Sequence, residues 1–161
     1  MWFVCIILCT IVIECLMGRA FFPKKIKIFG WGSTTSQDVF DLYSPSHVIH
    51  GLLFYWLCPS FIIAVLVECL WEVFENTSFV INRYRQTASE GYEGDTILNS
   101  VSDVLCMSLG FWVAMSIPVY ATIFAGIVME LLPLWAVRDN LTLNIIMLIH
   151  PFEKIKDWQK R

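Results

Sequence analysis

The stretch TILNSVSDVLCMSLGFWVAMSIPVYATIFAGIVMELLPLWAV, residues 96–137, decides the fold. It carries only two charged side chains, Asp103 and Glu130, and Pro118 divides it into two apolar halves. Each half is long enough to cross a hydrocarbon core of about 30 Å as a helix. We therefore expect two membrane-spanning helices, at 96–117 and 119–137, the second kinked at Pro133.

The composition of the whole chain agrees with this expectation. Its 161 residues are 57% hydrophobic and 16% charged, whereas a soluble domain carries roughly 25% charged residues. The high apolar content and the net charge of -3 exclude a disordered chain, a collagen and a nucleic-acid-binding arm. The six cysteines lie in apolar runs without a CxxC pair, which argues against a disulfide scaffold or a zinc finger. A small polytopic membrane protein remains.

The other segments are assigned from apolar runs and helix signals. Ser44 is expected to cap a short helix with Pro45 at its first position, and the next helix is expected to run unbroken from Phe61 to about Arg85. The fold class is thus all-α, a bundle of about five transmembrane helices whose second is short and paired with the third as a hairpin. The remaining ranges are a first span at 1–17, an interfacial linker at 18–44 with a Gly-Trp-Gly-Ser turn at 30–33, spans at 45–58 and 60–82, and an interfacial C-terminal segment at 141–161.

The basic residues set the orientation. If the N-terminus is outside and five segments alternate, residues 18–45, 83–95 and 138–161 share the inner side, and they hold all 11 lysines and arginines. The outer turns, 58–60 and 116–120, carry no charge. The positive-inside rule therefore predicts a protein with its N-terminus outside and its C-terminus in the cytoplasm.

Polar residues within the apolar segments mark a candidate site. Charged groups in a bilayer each cost at least about 2.5–3.5 kcal/mol and are functional by default. Glu68, Glu72 and Glu75 recur at i, i+4 and i+7, on one stripe of the third helix. Glu72 and Glu75 fall in the inner half of the membrane with His47, His50, Asn99, Asp103, Glu130 and Arg138, and Glu68 lies near the middle. We expect these residues to line a polar chamber open to the cytoplasm. Glu14, alone in the first span, is expected to snorkel to the interface.

The candidate chemistry follows from these residue types. Carboxylates suit Mg²⁺ or Mn²⁺ and imidazole favours Zn²⁺ or Fe²⁺, so a divalent metal is one expected occupant. The arginines at headgroup level predict a second occupant, an anionic lipid headgroup. The candidate metal ligands are His47, His50, Glu68, Glu72 and Asp103; the candidate catalytic residues are His47, His50, Glu72, Glu75 and Asp103; and the candidate binding residues are Arg83, Arg85, Asp95, Asn99, Arg138, Asp139, Asn140 and Asn144.

Four blocks of the sequence resemble one known family. They are SHVIHGLLFY (46–55), VECLWEVFENTSFVINRYR (67–85), GDTILNSVSDVL (94–105) and RDNLTLNIIMLIHP (138–151). Together they resemble an alphaproteobacterial-type family of multi-pass inner-membrane proteins that carries a domain of unknown function, a UPF group; a more distant likeness is to VanZ-like membrane proteins. The resemblance implies a bacterial inner-membrane location and singles out the same His, Glu, Asp and Arg residues, without implying an activity.

Two functions fit these observations. The first is an inner-membrane protein whose cytoplasm-facing acidic, His and Arg pocket binds a divalent cation or a lipid headgroup, with or without catalysis. The second is a non-catalytic assembly or transport-related protein, whose acids and histidines pair with Arg83, Arg85 or Arg138 and only lock helices together. Apart from the lipid bilayer, the sequence indicates no partner, and a nucleic-acid partner is not expected.

Overall fold

A computed structural model describes residues 2–23, 25–30, 36–86 and 91–160. Within these ranges the chain is all-helical, apart from an isolated bridge between Phe29 and Phe40. The helices are α1 (Trp2–Leu16), α2 (Ser44–Leu57), α3 (Phe61–Glu75), α4 (Ser78–Arg85), α5 (Ile97–Ser116), α6 (Val119–Val137), α7 (Leu141–Ile149) and α8 (Glu153–Gln159). The all-α class is therefore confirmed. Lys24 and most of the predicted Gly-Trp-Gly-Ser turn, residues 31–33, lie outside the described residues.

In the part of the chain that the structure describes, two helices, α5 and α6, are long and apolar enough to cross a membrane, and α1 is a shorter apolar helix. The two long helices differ in burial. Within the most apolar 18-residue stretch of each helix, 67% is buried in α5 and 11% in α6. The face of α6 that includes Phe124, Ile127 and Trp135 is exposed, as expected of a helix that meets lipid. The helix also continues through Pro133. These two helices are fewer than the five spans predicted from the sequence.

The centre of the fold is a close crossing of α2 over α5 at two glycines. A Cβ atom on Gly51 would lie 1.9 Å from the carbonyl oxygen of Met107, and one on Gly110 would lie 2.0 Å from that of Val48. The two backbones are therefore in direct contact, which glycine alone permits. This crossing places the first two turns of α2 against the first half of α5, where the candidate site residues lie.

The third predicted helix is not continuous, which corrects the expectation of a single helix from Phe61 to Arg85. α3 ends at Glu75 and α4 begins at Ser78. Asn76 accepts a hydrogen bond from the backbone N–H of Asp95 (2.7 Å) and donates to its carboxylate (3.1 Å). Thr77 then caps α4. The break exists because Asn76 bonds a loop 19 residues away in sequence, a contact that the apolar pattern does not encode.

The start of α2 also differs from expectation. Ser44 is the first helical residue rather than the cap. The Asp41 carboxylate accepts hydrogen bonds from the backbone N–H groups of Tyr43 (2.7 Å) and Ser44 (3.0 Å), so Asp41 satisfies the free donors at this helix end. The Ser44 hydroxyl accepts from the Asp41 N–H (3.0 Å) and donates to Asp103 on α5 (3.3 Å). The start of α2 is thereby tied to the candidate site.

The linker before α2 caps α5 as well. The N–H groups of Ile97 and Leu98 donate to the carbonyls of Ala20 (3.0 Å) and Phe21 (3.2 Å). Arg19 donates through Nε and Nη2 to the carbonyl of Asp95, at 3.0 and 2.9 Å. The described part of the linker is therefore packed against the N-terminus of α5, and it forms one wall of the site described next.

Candidate functional site

One buried carboxylate joins the two histidines of α2. Glu68 on α3 has no exposed surface. Its Oε1 lies 2.6 Å from His47 Nδ1, and its Oε2 lies 3.0 Å from His50 Nδ1. An ionised carboxylate only accepts hydrogen bonds, so both imidazoles donate to it from Nδ1, and when a ring is neutral its Nε2 is the unprotonated nitrogen. Glu68 thus presents both Nε2 atoms as potential metal ligands, as outer carboxylates do in metal centres.

The Nε2 atom of His47 faces a second carboxylate. It lies 3.8 Å from Asp103 Oδ2 on α5, and Asp103 is held on its other oxygen by Ser44. Two ligand atoms that are each about 2.1 Å from a tetrahedral metal lie about 3.4 Å apart. The His47–Asp103 separation is therefore close to the spacing that one shared cation requires.

A third carboxylate of the cluster has no hydrogen-bond partner. Glu72 is fully buried, and within the described residues neither of its side-chain oxygens accepts a hydrogen bond. Its Oε1 lies 3.4 Å from His47 Nδ1, which already donates to Glu68. A buried carboxylate that lacks donors is costly unless a proton or a cation balances it. Glu72 is therefore the carboxylate of the cluster at which a balancing proton or cation is expected.

The cluster offers two overlapping sets of metal ligands in the described part of the chain. One is His47, His50 and Glu68, and the other is His47, Glu72 and Asp103; within each set the ligand atoms lie within 4.8 Å of one another. Mixed imidazole and carboxylate ligands suit Zn²⁺, Mn²⁺ or Fe²⁺. The second set is the better candidate, because Glu68 is occupied by both imidazoles whereas Glu72 is not.

The cluster borders a cavity of about 960 Å³. His47, His50 and Asp103 line it, and so do five further predicted site residues: Glu75, Asp95, Asn99, Asp139 and Asn144. The structure therefore brings most of the predicted polar residues together around one space. Glu68 and Glu72 lie behind this lining, at the buried end of the cluster.

The three predicted arginines are not part of the cavity lining. Arg85 donates to the carbonyl of Tyr92 (2.6 Å), and Arg138 donates to that of Trp158 (3.2 Å) and lies over its ring. Among the described residues, the basic side chains within 4 Å of the Glu68, Glu72 and Asp103 carboxylates are His47 and His50, not an arginine. Asn140, predicted to bind a ligand, instead caps α7 by accepting from the N–H of Leu143 (2.9 Å).

The two remaining acids of the predicted spans also differ from expectation. Glu14 does not snorkel: it is 1% exposed, in the small space between α1, α3 and α5 that Thr10 and Ser100 line, because α1 packs on α3 and α5. Glu130, expected to line the chamber, is not among the described residues that line the cavity; its carboxylate lies 3.5 Å from the N–H of Thr142 and caps the first turn of α7.

Sequence reasoning missed several residues that shape the site. Tyr43 donates its hydroxyl to Asp139 (2.9 Å), and Tyr92 donates to Asp95 (3.1 Å). Burial, followed by the carboxylates of Glu75 and Asp95, raises the pKa of Tyr84 well above its usual value, so this phenol stays protonated beside them. In a sequence that predicts membrane spans, tyrosines are usually assigned to the membrane–water interface, so these hydrogen bonds were not expected. Asp41 could have been found from its spacing of three residues before Ser44.

The comparisons place this sequence in a family. The profile of the family described as "Protein of unknown function (DUF2585)" matches residues 14–161. The chain belongs to this family. The UPF0314 protein Atu8092 of Agrobacterium fabrum is 42% identical over 96% of this chain and 86% of its own length. The UPF0314 protein R03235 of Rhizobium meliloti is 44% identical over 92% and 84%, and that of Paracoccus denitrificans is 47% identical over 79% and 72%.

These relatives confirm the predicted alphaproteobacterial-type family. The likeness to VanZ-like proteins stays a prediction. No solved structure matches the chain. In this DUF2585 member the matched region begins at the buried Glu14 and includes every residue of the histidine and carboxylate cluster.

In this DUF2585 chain, Asp139 of the cavity lining is hydrogen-bonded to the C-terminal helix α8. Its carboxylate accepts from Tyr43, from the backbone of Asn140 (3.0 Å) and from Gln159 of α8 (2.9 Å). Burial nevertheless raises the pKa of Asp139 to about 6. An ordinary Asp in the unfolded chain has a pKa of about 3.9.

This difference predicts a pH effect. Because the folded pKa is the higher one, the folded state holds the proton more tightly, and Asp139 lowers the free energy of unfolding by about 2–3 kcal/mol as pH rises from about 4 to about 6. Asp139→Asn should remove this component of the pH dependence in unfolding experiments between pH 4 and 7. Asp157→Asn, at an exposed position of α8, is the control and should keep the wild-type slope. A wild-type slope in Asp139→Asn would contradict the assignment.

Proposed function

We propose that this chain is a multi-pass inner-membrane protein whose cytoplasm-facing cavity holds a divalent cation at His47, Glu72 and Asp103. Glu72 carries the proposal, because its buried and unpartnered carboxylate lies in a cluster with an imidazole and a second carboxylate. Glu68 acts on the cation through His47, whose ring orientation and tautomer it sets. A cation so held would supply Lewis acidity or bind an anionic group next to the cavity.

The chain segments that line the cavity support the proposed membrane topology, in which the cavity faces the cytoplasm. Lys25 and Lys27 from the linker, Glu93 from the loop after α4, and Gln159 from α8 all line it. They belong to the three basic segments that the positive-inside rule assigns to the cytoplasm. With α1 and α3 at 15 residues each, or about 22 Å, a five-span arrangement has its shorter helices where the bilayer is thinned.

An anionic lipid headgroup is a second proposed ligand of this site, but the residues that would hold it differ from those predicted from the sequence. Its predicted ligands Arg83, Arg85 and Arg138 do not line the cavity. An anionic phosphate would instead be held by the cation and by the rim lysines Lys25 and Lys27. The alternative function, a protein whose polar residues only join helices, draws on one observation: Glu68 bonds two histidines of the neighbouring helix.

Equilibrium dialysis of the purified protein against Zn²⁺ or Mn²⁺ tests the proposal. We expect one ion per chain, and Glu72→Gln should lower the affinity by more than the 10–100-fold that loss of an outer-shell partner costs, roughly. Glu14→Gln is the matched control, because Glu14 is also buried without hydrogen-bond partners among the described residues but lies outside the cluster. If Glu72→Gln binds like the wild type, the cation site is wrong and the helix-joining function is favoured.

A further inference from the structure

The cavity has one apolar wall. Leu141, Ile145 and Leu148 recur at i, i+4 and i+7 on α7, and all three line it, with Val137 at the end of α6 beside them. The opposite side consists of the histidine and carboxylate residues described above. A cavity of about 960 Å³ that is polar on one side and apolar on the other suits an amphiphilic ligand, which has a polar and an apolar part.

Carboxyl groups outnumber basic side chains in the lining. In the part of the chain that the structure describes, seven carboxylates line the cavity, including Asp38 and Asp139, against two lysines, Lys25 and Lys27. Both lysines are exposed, whereas Asp38 and Asp139 are buried. Where these carboxyl groups are ionised, they attract a cationic group and repel an anionic group that no metal bridges.

One of these carboxylates points to the position of a positive group. Asp38 is 2% exposed and lines the cavity; its Oδ1 accepts from the N–H of Lys27 (3.3 Å), and its Oδ2 has no hydrogen-bond partner among the described residues. Its backbone carbonyl accepts from Asn99, one turn, or about 6 Å, before Asp103 along α5. Asp38 is thus separate from the proposed cation ligands.

We propose that the cavity binds an amphiphile with a primary ammonium headgroup, the ammonium at Asp38 and the alkyl chain along the Leu141, Ile145 and Leu148 face of α7. An ammonium group has three donors, which suits an unpartnered carboxylate beside other acids. The apolar wall contributes through burial of the chain. This inference goes beyond the proposed cation site and does not require it.

Thermal unfolding of the purified full chain in a neutral detergent, with EDTA present throughout, tests the proposal. Dodecylammonium, below its critical micelle concentration, should raise Tm by about 3–6 °C at ten times its Kd. Butylammonium, which lacks the chain, and dodecyl phosphate, which has the opposite charge, should leave Tm unchanged at the same concentration. An equal rise with butylammonium or dodecyl phosphate, or no rise with dodecylammonium, overturns the proposal.

Two variants on α7 give a matched comparison. Ile145→Ser removes apolar surface from the cavity wall and should weaken dodecylammonium binding several-fold, whereas Ile146→Ser, one residue on and outside the lining, should bind like the wild type. Equal affinity in the two variants contradicts the assigned chain position. Because EDTA removes divalent ions, these results do not depend on the cation site, whose failure would appear only in the dialysis experiment.

Discussion

Gly51→Val is expected to destabilise the protein by at least about 3 kcal/mol and to abolish divalent-cation binding. The valine Cβ would lie 1.9 Å from the Met107 carbonyl oxygen and 2.5 Å from the Phe111 backbone nitrogen, and backbone atoms cannot rotate aside as side chains do. Overpacking costs typically 1–3 kcal/mol, roughly, when flexible neighbours can adjust. Here α2 must move away from α5, which carries His47 away from Asp103.

Thermal unfolding and Zn²⁺ dialysis of this variant provide the measurement. Gly126→Ala on α6 is the control, since the nearest atom to its new Cβ is Leu52 Cδ1 at 4.0 Å and alanine favours a helix by up to about 1 kcal/mol. We expect that control to be as stable as the wild type or more so, with normal ion binding. Wild-type behaviour of Gly51→Val would show that α2 and α5 do not cross at this glycine.

The second large effect is expected at Glu68. Glu68→Ala leaves His47 and His50 without the acceptor they share, and each buried donor left unpaired costs about 1–3 kcal/mol. Glu68→Gln keeps the shape but loses the negative charge and has one acceptor oxygen, so the two imidazoles must share an oxygen that lies 2.6 Å from His47 Nδ1 and 3.3 Å from His50 Nδ1 in the wild type. Its expected effect is a smaller loss of stability with a fall in cation affinity of about 10–100-fold, because the shared, uncharged oxygen orients the rings less firmly.

Two measurements on both Glu68 variants distinguish its two effects. Unfolding in detergent reports its contribution to stability, and ion dialysis reports its effect on the orientation of the imidazoles. Glu130→Ala is the comparison, because the Glu130 carboxylate makes only a 3.5 Å contact with the Thr142 N–H. We expect it to cost no more than about 1 kcal/mol. Stability of Glu68→Ala equal to that of Glu130→Ala would show that the two histidine contacts contribute nothing to the fold.

The sequence predicts those parts of the protein that depend on helical periodicity and depth. The length and apolar content of 96–137 identify α5 and α6. The i, i+3 and i+4 spacings place His47 with His50 and Glu68 with Glu72, and the structure brings these pairs into one cluster with Asp103. These features are local to one helix or follow from the membrane depth that the sequence predicts for it, so a single chain suffices to infer them.

The features that escaped prediction depend on contacts between distant segments. Asn76 breaks a helix because it bonds Asp95, and the linker caps α5 through the carbonyls of Ala20 and Phe21. Glu14 is buried because α1 packs on α3 and α5. An apolar pattern states which segments are helical, but not which polar side chain reaches a backbone group elsewhere in the chain.

The central claim, a cation held by imidazole nitrogen and carboxylate oxygen, is tested most directly by X-ray absorption at the zinc edge of the Zn²⁺-loaded protein. The structure predicts nitrogen and oxygen ligands at about 2.0–2.2 Å, including at least one histidine, and no sulfur. The six free cysteines offer a clear contrast, since a thiolate ligand would appear at about 2.3 Å. A sulfur shell, or a zinc spectrum without a histidine contribution, would contradict the assignment of the site to His47, Glu72 and Asp103.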